Sequence, residues 1–142
     1  MSHTRISPAL RQAVAERSGH RCSYCQTAES ITGSLFTVDH IVPESLGGQT
    51  ALDNLCLACW ECNLLKHDRI IATDPETGAT VRLFNPNTQA WREHFSWQMV
   101  GLLIVGLTST GRATVNAIRL NRPALVNARR LWIQIGSHPP QD

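Results

Sequence analysis

Two C-x-x-C pairs, Cys22/Cys25 and Cys59/Cys62, and the adjacent Asp39 and His40 are the residues of this chain best suited to chemistry. Each C-x-x-C presents two thiolates from one turn, so two pairs can close a tetrahedron around zinc. The gap between the pairs is longer than in a simple zinc ribbon and must hold a folded unit of its own. Four thiolates leave no open position for water, so this metal would be structural. No export signal precedes the cysteines, which argues for bound metal over disulfides. A redox dithiol would need one exposed C-x-x-C on a thioredoxin-like fold. Cys56, the fifth cysteine, reads as a buried strand residue.

Asp39, His40, Asn54, Asn63 and His67 make a second set. Hydrolysis of a phosphodiester needs an activated water, a cation to offset transition-state charge, and stabilisation of the leaving oxygen. Histidine titrates near neutral pH and is the natural base. Mg²⁺ prefers oxygen ligands and keeps several waters. Asp39 and His40 are neighbours on a predicted strand, so their side chains point to opposite sides, one to a metal and one to the water. Asn63 and His67 lie at i and i+4 of a predicted helix and share a face. Packing that face over the strand would complete a site from Asp39, Asn63 and His67. Singly, each residue has a plain structural reading. An Asp-His pair often caps or faces solvent, Asn63 could only terminate a helix, and His67 could be solvated beside Lys66. Their joint occurrence in register with the zinc pair points to chemistry.

The elements that must position these groups can be read from caps and breakers. Ser7-Pro8 opens a helix, with Leu10, Ala13, Val14 and Arg17 at helical spacing and Gly19 suited to its C-terminal end. A turn follows with Cys22 and Cys25. Residues 37–42 read as a strand ended by Pro43, and Gly47-Gly48 is the flexible point of a loop. Residues 54–58 read as a second strand, and a helix runs from near Cys59 to about Arg69. Beyond residue 70, Asp74-Pro75 and Gly78 mark a hairpin turn. Residues 84–91 read as a loop, and FSWQMVGLLIVGLT as two short strands, with the apolar run Met99 to Leu107 expected to be buried. A helix starts near Thr110 and ends by Asn121. A last helix has Asn121 as N-cap, Pro123 in its first turn and an apolar stripe of Leu125, Ala128, Trp132 and Ile135. The fold class is α+β, with residues 1–70 as a core and 71–142 as an extension packed on it.

Composition bounds the partners. The chain has 142 residues, enough for one domain with its own core, and a net charge of only +2. No acidic residue falls between Glu93 and Asp142, yet Arg112, Arg119, Arg122, Arg129 and Arg130 do. Such asymmetry suggests a basic surface facing an anionic partner. Arginine forks match phosphate oxygens bidentately, although these arginines could equally be solvated or paired with acids. The longest apolar run is too short for a membrane span, and no targeting segment is visible, so a cytoplasmic location is expected. The four tryptophans read as core residues, with no aromatic platform for single strands.

These residues resemble the HNH endonuclease family, whose core is a ββα-metal (His-Me finger) unit. The resemblance runs from Cys22 to about Arg69 and rests on the DHI-P-S-GG stretch, the NL after the loop and the C-x-x-C-N-x-x-K close. It implies His40 as general base and Asp39 and Asn63 as ligands of a catalytic Mg²⁺ or Mn²⁺. It implies that Asn54 steadies the loop and orients the base, and that Lys66 holds the phosphate. A metal-binding histidine at the spacing of His67 is found in colicin-type members, and many zinc-bearing members lack one. The segment after residue 70, through LFNP, HFSW and GRATVNAIRLNRP, is similar to an extension on some bacterial stand-alone HNH proteins. With Arg69 and the five arginines above, it is expected to grip phosphates without sequence preference.

The sequence therefore leads to a metal-dependent DNA endonuclease acting on double strands, with structural zinc. A protein partner or homodimer remains open. The alternatives are a zinc-stabilised DNA-binding module without catalysis, which would have no need of Asp39, His40 and Asn63, and an RNase or branched-DNA resolvase using the same site.

Overall fold

The computed structural model describes residues 4–141. The chain up to Ile70, together with Asn85–Gln89, forms one compact unit; Ile71–Phe84 and the chain from Ala90 onward form another. Asn85–Gln89, read above as part of the extension, thus belongs with the first unit. The reason is local: Asn87 Nδ2 donates to the carbonyls of Asp53 and Leu55, at 3.0 Å each.

The first unit opens with α1 (Pro8–Arg17), capped by Ser7, whose hydroxyl accepts from the Leu10 N–H. Gly19 follows the helix at φ +66. Arg17 Nη2 donates to the Leu52 and Leu55 carbonyls, 2.6 Å each, and so anchors α1. A short α2 (Glu29–Thr32) leads into β1 (Thr37–His40), which pairs antiparallel with β2 (Leu55–Ala58). The register sets Asp39 opposite Cys56 and His40 opposite Leu55. Then α3 (Trp60–Lys66) starts at Cys59, whose sulfur accepts from the Cys62 N–H. Strand, loop, strand and helix follow in the order expected of a ββα-metal core.

Both β1 and α3 are shorter than their sequence suggests, for identifiable reasons. Asn54 captures the N–H and the carbonyl of Val42, at 3.0 and 2.9 Å, and also donates to the Gln49 carbonyl at 2.9 Å. These bonds pull Val42 out of the strand and cinch the loop. Gly48 lies so close that a Cβ there would collide with the Val42 carbonyl, and Gly47 sits at φ +90, which together explain the Gly-Gly pair. The helix stops because His67 turns to φ +55, ψ −130 and Arg69 covers the Leu65 carbonyl at 2.6 Å.

The second unit has a hairpin of β3 (Ile71–Thr73) and β4 (Thr80–Arg82), the short α4 (Trp91–His94), and a second hairpin of β5 (Phe95–Gln98) and β6 (Leu103–Gly106). Two helices, α5 (Ser109–Ile118) and α6 (Pro123–Gln134), complete it. Its interior holds Phe84, Phe95, Ile104, Ile118 and Leu120, with Phe84 and Phe95 edge to face at 5.1 Å.

Four expectations need correction here. The run Met99 to Leu107 is not one buried strand, because Met99–Gly101 forms a tight turn with Met99 and Val100 exposed at positive φ. Asn121 does not cap α6. Its amide instead clamps the Ile104 backbone, accepting from its N–H at 2.8 Å and donating to its carbonyl at 2.7 Å. Ile135 faces solvent, and Arg129 takes an inward position on α6. Trp91, Trp97 and Trp132 do lie in the second unit's aromatic cluster, but Trp60 stands on the surface.

Candidate active site and zinc centre

The four sulfurs of Cys22, Cys25, Cys59 and Cys62 lie within 4.8 Å of one another, and Cys25 and Cys59 are 3.9 Å apart. A tetrahedron with zinc–sulfur bonds of about 2.3 Å has edges of about 3.8 Å, so this set fits zinc closely. Hydrogen bonds from Cys22 and the other thiols hold Cys25 well below the ordinary thiol range, whereas burial pushes Cys22 well above it. A four-cysteine set of this kind suits a structural zinc that pins the Cys22–Cys25 turn to the start of α3.

Beside this cluster, β1 and α3 enclose a cleft of about 300 Å³ lined by Asp39, His40, Asn63 and His67. Strand alternation would have Asp39 and His40 face opposite ways. Both reach the cleft because strand pairing ends at His40, where the chain bends into the Asn54-cinched loop.

Asp39 is buried and strongly held. Tyr24 donates to its Oδ2 at 2.9 Å, and Lys66 Nζ stands 3.1 Å from the same oxygen. Among the described residues no hydrogen bond falls on Oδ1, which leaves that oxygen for a cation. Burial raises the Asp39 carboxyl above its usual range, against the pull of the Lys66 ammonium and the Tyr24 hydroxyl. Behind it, burial pushes the Cys56 thiol up to about 12, so this cysteine stays protonated and inert. Asn63 Nδ2 approaches Thr37 Oγ1 at 3.4 Å; that contact turns the amide oxygen away from Thr37. His67 is exposed, with Nδ1 2.7 Å from Asp68 Oδ1.

His40 Nε2 is 2.9 Å from Thr50 Oγ1 and 3.4 Å from Glu44 Oε1. The orienting partners of this ring are therefore Thr50 and Glu44. Asn54 binds only backbone of the loop among its described partners. Thr50, Glu44 and Tyr24 do not stand out in the sequence. Glu44 follows His40 by four residues, but the intervening chain is not helical, so spacing carries no signal.

Burial or pairing commits several of the expected phosphate contacts to other partners. Lys66 is 1% exposed, and besides Asp39 its ammonium donates to the His40 and Ile41 carbonyls at 3.1 and 3.2 Å. All three of its N–H groups are thereby used. Arg129 is fully buried; it donates to the carbonyls of Leu102 and Leu120 and to Asn121, and stacks 5.3 Å from the Trp97 ring. Arg122 is buried against the Ile118 and Arg119 carbonyls. Arg112 forms a bidentate bridge to Asp74 at 3.1 and 2.9 Å and also meets Glu76. Arg69, Arg119 and Arg130 are on the surface. A hollow of about 720 Å³ in the second unit is bordered by Glu76, Arg112, Arg119 and Arg122.

Among the described residues no helix is long and apolar enough to cross a membrane. The family described as HNH endonuclease matches residues 22–69. No curated protein and no solved structure matches the chain. That family implies a nucleic-acid substrate and nuclease activity at the level of the family. The matched span opens at the first zinc-cluster cysteine and closes just past α3, enclosing the whole cleft. Residues 22–69 thus match the HNH endonuclease family, and the four-cysteine cluster within them matches its zinc-bearing form.

Proposed function

We propose that this chain is a metal-dependent endonuclease that hydrolyses phosphodiester bonds of DNA, with His40 as general base. The observation that carries this reading is the convergence of Asp39, His40 and Asn63 on one cleft, beside a closed cysteine cluster. A zinc ion held by four cysteines has no open position for water, so hydrolysis needs a different centre. Asp39 and Asn63 offer oxygen donors, which suit Mg²⁺ or Mn²⁺. His67 is the further candidate ligand. Its backbone sits in a region costly for a non-glycine residue, as residues held for function often do. When bound, such an ion offsets negative charge on the phosphate and on the leaving oxygen.

The residues divide the remaining work. A proton on His40 Nε2 is held toward Glu44 and Thr50, which leaves the Nδ1 lone pair for the proton of an attacking water. The water oxygen bonds to phosphorus, the bond to the 3′ oxygen breaks, and that oxygen takes a proton from solvent. The products are a 5′-phosphate and a 3′-hydroxyl, as the family resemblance implies. Asn54 keeps the loop, and hence His40, in place. Tyr24 and Lys66 fix the Asp39 carboxylate.

The substrate on this reading is double-stranded DNA. Arg69, Arg119 and Arg130 supply sequence-independent grip, the last two from the extension. A single copy would nick one strand, and a second copy or a protein partner would be needed to cut both. The reducing cytoplasm suits the reduced cysteine cluster. The test is incubation of zinc-loaded protein with plasmid DNA, with and without Mg²⁺ or Mn²⁺. Nicks bearing 5′-phosphates, dependent on the added ion, are expected. Intact DNA with every divalent ion contradicts the reading.

A further inference from the structure

Trp60 and Leu64 are not accounted for by hydrolysis. Trp60, Asn63, Leu64 and His67 lie at i, i+3, i+4 and i+7 of α3 and its end, so they share one face. That face lines the same cleft as Asp39 and His40. Trp60 is 62% exposed and Leu64 is 69% exposed. Two large apolar side chains exposed together on the cleft wall offer a surface that a partner could cover.

The chemistry of the cleft narrows what that is. No lysine or arginine is among the cleft's lining residues, and Lys66 is committed to Asp39 and two carbonyls. A nucleotide seated there gains no ion pair to a basic side chain. An indole offers a flat apolar face, and every nucleobase has a matching one. In a continuous duplex those faces are covered by neighbouring base pairs. An unpaired base leaves a face open for stacking.

We propose that Trp60, flanked by Leu64, is a stacking subsite for an unpaired nucleobase next to the phosphate that is cut, so that the preferred target is duplex DNA interrupted by unpaired nucleotides. This rests on the nuclease reading of the cleft and adds a substrate preference to it. Stacking on one aromatic side chain corresponds to roughly tenfold in affinity or more.

The test measures binding and cleavage separately. Binding is followed by fluorescence anisotropy with Mg²⁺ present, in full-length zinc-loaded His40→Ala, which leaves the DNA intact. The probes are a duplex with a short central bubble and the fully paired duplex of the same length. The bubble should bind roughly tenfold more tightly. Trp60→Ala on the same background should abolish that preference, Trp60→Phe should retain most of it, and binding to paired DNA should not change. Trp60 is exposed, so the substitutions should leave the melting temperature unaltered, and Trp60→Phe guards against a loss caused by misfolding. Equal affinity for the two probes, binding to neither, or a preference that survives Trp60→Ala overturns the subsite. Cleavage of both probes by the wild-type chain is read alongside. A Trp60-dependent binding preference with no cleavage of any DNA would remove the nuclease reading and leave the subsite standing.

Discussion

Lys66 Nζ stands 3.1 Å from Asp39 Oδ2, and both side chains are almost wholly buried. The chain's one lysine is thus an internal counter-ion for a cleft carboxylate. Taking two charges out of water is costly, and the pair is tolerated because the remaining N–H groups of Lys66 reach backbone carbonyls. Removing one partner leaves the other charged and unpaired.

Lys66→Ala should therefore lower stability by about 3–5 kcal/mol, read as a fall in the urea midpoint of the zinc-loaded protein. A phosphate-binding lysine would behave differently. It would leave the midpoint unchanged and weaken DNA binding in a salt-dependent way.

Zinc should bind at one ion per chain, and Cys59→Ser should lose it. Binding of a structural zinc is folding free energy for the unit that holds it, so the variant should melt well below wild type by circular dichroism. Cys56→Ser is the control, since Cys56 lies outside the sulfur cluster, and it should keep its zinc. An unchanged melt in Cys59→Ser would remove the structural role.

The two adjacent arginines of α6 should part company. Arg129→Ala strips donors from the Leu102 and Leu120 carbonyls and from Asn121, and should cost several kcal/mol at about 1–3 kcal/mol per orphaned group. Arg130→Ala should leave stability within about 0.5 kcal/mol. If Arg130 meets a phosphate, its loss reduces the salt slope of DNA binding by about 1. Equal stability of the two variants would contradict the burial of Arg129.

How far the sequence foretells these roles depends on where each residue's partners come from. The four-cysteine cluster is legible because two thiolates per turn are a local pattern. The strand-loop-strand-helix order is legible from Pro43, the glycine pair and the C-x-x-C that starts α3. Lys66 and Arg129 are not, because their acceptors lie outside their own helices and only the folded chain brings them together. Nothing about a lysine on a helix says that three oxygens await it inside. Tyr24 escapes notice because the direction of its side chain is set by the zinc turn. Hydrophobicity alone would put Trp60 in the core. In a helix as short as α3, however, Cys62 and Lys66 take the inward positions and leave Trp60 and Leu64 outside.

The bridge between Arg112 and Asp74 gives the second unit an acid-sensitive element. The Arg112 guanidinium holds the buried Asp74 carboxyl far below the usual carboxylate range. A depressed folded value means the bridge stabilises above the ordinary carboxylate value of about 3.9 and loses that contribution as pH falls toward the folded one. Asp74→Asn should thus be clearly less stable than wild type at about pH 7, and the gap should narrow as pH falls below about 4. Urea unfolding followed by tryptophan fluorescence, which reports mainly on Trp91, Trp97 and Trp132, would measure it. A gap that stays constant with pH would show that the bridge is not the cause.

The most direct test of the central claim is nicking of supercoiled plasmid with Mg²⁺ by wild type and by a folded, zinc-loaded His40→Ala. The wild-type chain should convert the plasmid to the open circular form, and the variant should lose at least about a hundredfold in rate, the scale of a general base. Equal cleavage by both proteins would show that His40 is not the base. Cleavage by neither, on plasmid and on the bubble duplex alike, would contradict the hydrolytic reading of the cleft.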